Sequence, residues 1–146
     1  MIYLVDTNVL LRSIQTSHPM YGGARLAPAS LINQGHQLSV IAQNLIEFWA
    51  VATRPQASNG LALSIADTAT HIRTFQQAFT LLPDTADIFS EWQQLVVKHS
   101  VSGRQAHDAR LVAAMLAHNV THLLTFDEGD FKRYQEIIVV NPQDVS

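Results

Sequence analysis

The sequence predicts an α/β protein with a mainly parallel central sheet of about five strands. The first observation is a set of short apolar segments, IYLV (2–5), HQLSVIA (36–42), FTLLP (79–83), HLLTF (122–126) and EIIVVN (136–141). The second is that stretches with helical periodicity separate these segments. Continuous apolar strands alternating with helices are typical of a parallel sheet covered on both faces.

Composition places the chain among folded proteins. Its 146 residues fit one domain (1–146), and 47% hydrophobic against 14% charged residues is enough for a core. The absence of cysteine excludes disulfides and thiolate metal sites. No apolar run approaches ~18 residues and no secretory segment opens the chain, so we expect a cytoplasmic protein without a membrane span.

The charge balance gives no general attraction for nucleic acid. The net charge is −3, with nine Lys and Arg residues against twelve Asp and Glu residues. Proteins that bind nucleic acid by overall charge usually have an excess of basic residues. An RNA substrate would therefore have to be bound by a local basic patch or through a bridging metal ion.

Helix boundaries are predicted from capping residues and chain breakers. One helix covers 23–34, ends at Gly35 and has an inner face of Leu26, Ala27, Leu31 and Ile32. A second helix covers 43–54 and ends before Pro55. Three more begin at capping residues, which are Ser64 with Asp67, Asp84, and Ser102 with Gln105.

Two acidic residues directly follow strands of this predicted sheet. Asp6 follows the first strand and Asp127 follows the fourth. Ligands of parallel α/β sheets lie outside the carboxyl ends of the strands, so both positions are candidates for an active site. An Asp after a strand also commonly caps the next helix, and for Asp6 alone the two interpretations have equal weight.

Two further acids lie on helices that border the same edge. Asp108 continues the apolar face of its helix, which is formed by Leu111, Val112, Met115 and Leu116. A carboxylate facing the core is costly unless it is paired or binds a metal, although a first-turn Asp is also favoured by the helix dipole. Glu47 is the single charge between Arg25 and Arg54, and it either borders the site or faces solvent.

Carboxylates that converge at one sheet edge would repel one another unless cations neutralise them. The segment TFDEGDF (125–131) adds Asp130 close to Asp127, although a turn would also use these residues. Without thiolates or a His-x-x-x-His pair, Mg²⁺ or Mn²⁺ is the expected metal. Pairs of such ions activate water and stabilise the leaving oxygen in phosphodiester hydrolysis.

Four segments together resemble the PIN-domain ribonucleases, and most closely the VapC-type toxins of bacterial toxin–antitoxin pairs. They are VDTNVLL at the start, Glu47 in the helix after the second strand, HDARLVAAMLAHNV and LLTFDEGDF. The resemblance covers nearly the whole chain. It implies a three-layer α/β/α sandwich and Mg²⁺- or Mn²⁺-dependent endonuclease activity on RNA, giving 5′-phosphate and 3′-hydroxyl products.

The same resemblance implies roles for individual residues. Asp6, Glu47, Asp108 and Asp127 match the catalytic and metal-binding acids of the family, and Asp130 matches a further acid. We expect Asp6 and Asp108 to be the principal metal ligands. The supporting polar residues are Thr7, Asn8 and Thr125. The segment DARLVAAM departs from the commoner DALIAA at Arg110, where an apolar residue is usual.

Partners follow from the resemblance as expectations. They are an RNA substrate, a cognate antitoxin protein and a second copy of the chain in a homodimer. The arginines that could bind RNA phosphates are Arg12, Arg54, Arg104 and Arg110, although each is also explained as an ordinary solvated residue. Phe48, Trp49, Phe89 and Trp92 are candidates for a dimer or antitoxin surface, with a place in the core as the alternative.

Two other functions compete with a nuclease. An aspartyl-phosphate phosphohydrolase needs a second Asp two residues after the first, where this chain has Asn8, and a lysine near the phosphate. A Rossmann-type cofactor protein needs a glycine-rich turn after the first strand, which is absent. The alternative that stays open is a PIN-like scaffold that binds RNA or protein without cleaving it.

Overall fold

All five predicted strands are present, and they form one sheet that is parallel throughout. The computed structural model describes residues 1–146. The strands are β1 (Ile2–Val5), β2 (Gln37–Ile41), β3 (Thr80–Leu82), β4 (His122–Leu124) and β5 (Ile138–Val140). Their order across the sheet is β3-β2-β1-β4-β5. The first strand is therefore central, and its carboxyl end lies between those of β2 and β4.

Seven helices cover the two faces of this sheet. They are α1 (Thr7–Arg12), α2 (Tyr21–Asn33), α3 (Ala42–Thr53), α4 (Ile65–Ala78), α5 (Asp87–Lys98), α6 (Gln105–Ala117) and α7 (Glu128–Phe131). Short 3₁₀ helices occupy Gln56–Ser58 and Pro142–Asp144. The arrangement is the predicted α/β/α sandwich. None of the helices is long and apolar enough to cross a bilayer.

Strand residues alternate between two separate cores, as side chains in a strand must. Leu4 of β1 and Leu123 of β4 face one core, which α5, α6 and α7 cover. Tyr3 and Val5 face the other core, which α1 to α4 cover. Because β1 is buried on both faces, it shows the continuous apolar run by which the sequence predicted it.

The inner face predicted for α2 is only half correct. Ala27 and Leu31 are buried, but Leu26 is 72% exposed and Ile32 is 45% exposed. The helix packs instead through Ala24, Ala27, Pro28 and Leu31. With 3.6 residues per turn, Leu26 lies nearly opposite this face and Ile32 lies at its flank, so both side chains point outward.

One of the three predicted helix caps is confirmed and two are wrong. Ser64 Oγ accepts a hydrogen bond from the backbone N–H of Asp67 at 3.0 Å, as predicted. Helix α5 begins three residues after Asp84, beyond the reach of that side chain. Ser102 is separated from α6 by Gly103, whose φ of +64° makes a turn, and the cap position is Arg104.

Candidate active site

Asp6 lies at the carboxyl end of β1 and is only 6% exposed. Its Oδ1 accepts a hydrogen bond from the backbone N–H of Thr7 at 2.8 Å, so Asp6 does cap α1. Its Oδ2 accepts a second hydrogen bond, from Oγ1 of Thr125, at 2.8 Å. The capping interpretation is therefore correct, but it uses only one of the two carboxylate oxygens.

Burial raises the pKa of Asp6 to about 7. The hydrogen bonds from Thr125 and Thr7 oppose that rise because they stabilise the charged form, while the carboxylates of Asp108 and Glu47 add to it. A buried acid with this pKa is poorly compensated by its protein neighbours. A cation placed beside it would favour the charged form.

Asn8 and Thr125 connect Asp6 to Asp127. The Asn8 Nδ2 lies 3.4 Å from Oδ2 of Asp6, and it donates to Oγ1 of Thr125 and Oδ2 of Asp127, each at 3.0 Å. The backbone N–H of Asp127 donates to Thr125 Oγ1 at 3.0 Å. The supporting residues predicted at positions 8 and 125 thus hold the ends of β1 and β4 in one polar network.

Three of the predicted acids line one cleft between α3 and α6. The cleft has a volume of about 610 Å³, and the acids are Glu47, Asp108 and Asp130. Asp6 does not line the cleft, but it lies close enough to Asp108 and Glu47 for their charges to raise its pKa. Asp127 is exposed and lines a neighbouring depression together with Asp130. All five predicted acids therefore lie at this edge of the sheet.

Glu47 points into the cleft and not into solvent. Ile46 also lines the cleft but is 67% exposed, whereas Glu47 is half-buried. The Oε1 atom of Glu47 is buried and has no hydrogen-bond partner. Burial raises the pKa of Glu47, while the nearby Gln43 amide and the charge of His107 lower it. An orphaned buried carboxylate oxygen is costly unless a donor or cation satisfies it.

Asp108 lies in the first turn of α6 and is half-buried. Burial, followed by the charges of Asp130, Glu47 and Asp127, raises the pKa of Asp108 to about 6. Mutual repulsion of this kind occurs only when carboxylates are close together. The result agrees with the convergence that the sequence predicted.

The predicted arginines do not share one location. Arg104 lines the acidic cleft. Arg110 lies beside it and donates from Nη1 to Oε1 of Gln43 at 3.0 Å. Arg12 donates to Gln15, and Arg54 lies beyond α3 and donates to the carbonyl of Asn59. Only Arg104 and Arg110 are thus placed beside the acids, and a role in RNA binding stays a prediction for all four.

Sequence reasoning missed two amides at the start of α3. Gln43 accepts from Arg110 and donates from Nε2 to the carbonyl of His107 at 2.9 Å, which joins α3 to α6 across the cleft. Asn44 is fully buried, accepts from the backbone N–H of Ile41 and donates to Thr7 Oγ1 at 3.4 Å. The signal available in the sequence was a pair of adjacent amides, Gln43 and Asn44, directly after the predicted second strand (36–42).

The donor set is suited to a hard divalent cation. It consists of carboxylate oxygens, and the orphaned Oε1 of Glu47 lacks the partner that a cation would supply. No three Asp, Glu or His side chains are arranged so that they could hold an ion by themselves. Mg²⁺ does not require such a cage, since proteins commonly bind it through one or two carboxylates and waters.

Fold and site together define a class of protein, a parallel α/β sandwich with an acidic cleft at the carboxyl edge of its central strand. Within that class the chain belongs to the PIN domain family, whose model matches residues 3–137. PIN domains are generally nucleases that need a divalent metal. A comparison with curated protein sequences finds no match.

Solved structures with the same fold include VapBC and FitAB complexes. A chain of VapBC2 from Rickettsia felis, bound to a DNA fragment from its promoter, is 17% identical with a TM-score of 0.71, over 97% of this chain and 98% of that one. VapBC-1 from nontypeable Haemophilus influenzae is 16% identical with a TM-score of 0.69, over 99% of this chain and 100% of that one. FitAcB from Neisseria gonorrhoeae is 21% identical with a TM-score of 0.67, over 99% of this chain and 100% of that one.

Proposed function

We propose that this protein is a Mg²⁺- or Mn²⁺-dependent endoribonuclease and the toxin of a toxin–antitoxin pair. One observation carries the proposal. Asp6, Glu47, Asp108, Asp127 and Asp130 approach one edge of the sheet. Burial raises the pKa of Asp6, Glu47 and Asp108, and repulsion from neighbouring carboxylates raises the pKa of Asp6 and Asp108 further. Such a costly arrangement is expected where carboxylates bind a cation for catalysis.

The acids would hold the metal, with Asp6 and Asp108 as principal ligands and Glu47, Asp127 and Asp130 completing the site. When bound, the ion supplies positive charge that neutralises these carboxylates and stabilises the charge developing during phosphodiester hydrolysis. The chain's own polar residues keep the ligands in place. Thr125 and the backbone N–H of Thr7 orient Asp6, and Asn8 orients Asp127.

The proposed partners are RNA, an antitoxin protein and a second copy of the chain. Structures with this fold include VapBC and FitAB complexes, three of them bound to DNA. Arg104 and Arg110 are the basic side chains placed to approach RNA phosphates at the acidic cleft. Because its substrate would be RNA, we expect the protein to act in the cytoplasm.

A cleavage assay tests the proposal. Purified protein is incubated with labelled structured and unstructured RNAs in Mg²⁺, Mn²⁺ or EDTA. We expect cleavage that needs the metal and that falls by roughly 10³-fold in Asp6→Asn, as when one preorganised electrostatic contact is removed. Asp67→Asn is the matched control, because it makes the same charge change on exposed α4.

The outcomes separate the candidate functions. Equal cleavage by wild type and Asp6→Asn would assign the activity to a contaminant and remove Asp6 from the site. No cleavage of any RNA, together with no Mn²⁺ binding in calorimetry, would favour a PIN-like scaffold that binds RNA or protein without cutting it. Mn²⁺ binding without cleavage would indicate an intact metal site and a substrate that is absent from the tested RNAs.

A further inference from the structure

A second groove opens beside the acidic cleft, between the first half of α5 and the start of α6. Its volume is about 430 Å³, and its walls include Ile88, Phe89, Trp92 and Ala106. His107 lines both this groove and the acidic cleft, so the two are neighbours separated by one side chain. A ligand bound across His107 could occupy both.

The groove presents two aromatic faces. Phe89 is 64% exposed, although Phe side chains are usually buried. The Phe89 and Trp92 rings lie 5.7 Å apart between centroids and are inclined by only 32°. The indole Nε1 of Trp92 donates to the carbonyl of Ala106 at 2.8 Å, which fixes the ring and uses its one donor. The pair is left to interact through its ring faces.

Basic groups lie where the groove meets the cleft. Arg110 lines the groove, Arg104 lines the cleft, and His107 stands between them. The guanidinium of Arg110 is anchored by Gln43 at 3.0 Å and Asp84 at 3.5 Å, yet its side chain is 36% exposed. An aromatic groove beside basic groups matches a nucleotide, whose base stacks and whose phosphate is negative.

We propose that the groove between α5 and α6 is a subsite for one unpaired nucleobase of the RNA substrate, next to the phosphate that enters the acidic cleft. The inference rests on the proposed function and adds to it a binding position for a base beside the scissile phosphate. A base held in a duplex is stacked on both sides and cannot enter a groove of this kind. Stacking on Phe89 and Trp92 would accept any base, because every base has a π face.

The indole N–H signal of Trp92 in NMR tests the subsite without any cleavage. Trp49→Phe leaves Trp92 as the one tryptophan, because the chain has two. We expect AMP and UMP, in the presence of Mg²⁺, to shift this signal, and ribose 5-phosphate, which lacks the base, to leave it in place. Equal shifts with all three ligands, or none with any, would overturn the proposal.

Variants at Phe89 locate the base. We expect Phe89→Ala to weaken the apparent AMP affinity by about 5- to 100-fold, and Phe89→Tyr to retain it, since tyrosine keeps the ring face. Val97→Ala is the control, a 76% exposed position of the same helix outside the groove. An unchanged affinity in Phe89→Ala would overturn the proposal.

Two further measurements distinguish base binding from RNA cleavage and from self-association of the chain. RNA cleavage measured on the same samples tests the proposed function independently, because AMP and UMP contain no phosphodiester bond between nucleotides. Sedimentation of wild type and Phe89→Ser tests a competing occupant. If the serine variant converts a dimer to a monomer and AMP does not shift the Trp92 signal, the groove is an interface between copies and the subsite is excluded.

Discussion

Thr125 donates a hydrogen bond from Oγ1 to Oδ2 of Asp6 at 2.8 Å, across 119 positions of the chain. Both residues are buried, and they directly follow two neighbouring strands, β4 and β1. The same Oγ1 accepts hydrogen bonds from Asn8 Nδ2 and from the backbone N–H of Asp127. The Thr125 hydroxyl therefore holds both acids that follow strands, Asp6 and Asp127, in place.

Replacing Thr125 tests this positioning role. Thr125→Val keeps the shape of the side chain but removes the donor, so the pKa of Asp6 should rise further above its ordinary value. We expect cleavage to fall by about 10- to 100-fold, the usual cost of losing a contact that orients a metal ligand. Thr125→Ser restores the hydroxyl and should recover most of the activity. Wild-type activity in Thr125→Val would show that this hydrogen bond does not position Asp6.

The pH dependence of stability should carry the signature of Asp6. Its pKa is about 7 in the folded protein and 3.8 in a model peptide, so ionisation penalises the folded state. The stability that the neutral form provides is complete below pH 4 and is lost as the pH rises to about 7. In EDTA, Asp6→Asn should therefore gain about 3 kcal/mol of unfolding free energy relative to wild type between pH 5 and pH 8.

Urea denaturation at several pH values measures that difference. Asp67→Asn, at an exposed position, should run parallel to wild type over the same range. A constant difference between Asp6→Asn and wild type from pH 5 to pH 8 would contradict the raised pKa. Saturating Mn²⁺ should stabilise wild type at pH 8 and have little effect on Asp6→Asn, because a bound cation favours the ionised form.

Glu47→Gln should weaken metal binding without unfolding the protein. The Oε1 atom of Glu47 has no partner, so an amide at this position removes a buried charge and breaks no hydrogen bond at that atom. We expect isothermal titration calorimetry to give a Mn²⁺ affinity about 10- to 100-fold lower, with an unchanged or higher melting temperature in EDTA. Glu91→Gln on α5, outside the cleft, is the matched control. Wild-type affinity in Glu47→Gln would exclude Glu47 as a ligand.

The hydrogen bond between Arg110 and Gln43 should contribute measurably to the free energy of unfolding. Arg110 has only donors, so it holds Oε1 of Gln43 toward itself and turns Nε2 toward the carbonyl of His107. A double-mutant cycle with Arg110→Met and Gln43→Ala should give a coupling of about 1 kcal/mol in unfolding free energy.

Asp84 provides the comparison for that cycle. Its ion pair with Arg110 is longer, 3.5 Å, and the Asp84 side chain is 51% exposed. Exposed ion pairs of this kind contribute roughly 0 to 1 kcal/mol. The cycle with Asp84→Asn should therefore give the smaller coupling. A larger coupling for Asp84 than for Gln43 would mean that Arg110 acts mainly through its charge.

The order of strands and helices along the chain was predictable because hydrophobic periodicity is local. Each buried strand of the parallel sheet is a continuous apolar run, and each run ends where the strand ends within about two residues. The errors fell at two helix starts and on the inner face of α2. Asp84 and Ser102 have the right residue type for a cap, but each lies two or more residues before the cap position. Capping chemistry constrains the type of residue before a helix, whereas turns such as that at Gly103 decide at which residue the helix begins.

The sequence by itself determined the fold class and the acids, since an apolar strand followed by Asp constrains both the sheet and the edge at which Asp6 lies. Only the tertiary structure decided how the acids are held. Its strand order placed β4 beside β1, brought Thr125 to Asp6 and put Glu47 against Asp108 across the cleft. It also opened the aromatic groove beside His107. Such contacts join residues far apart in the chain, and their geometry depends on packing that no local pattern encodes.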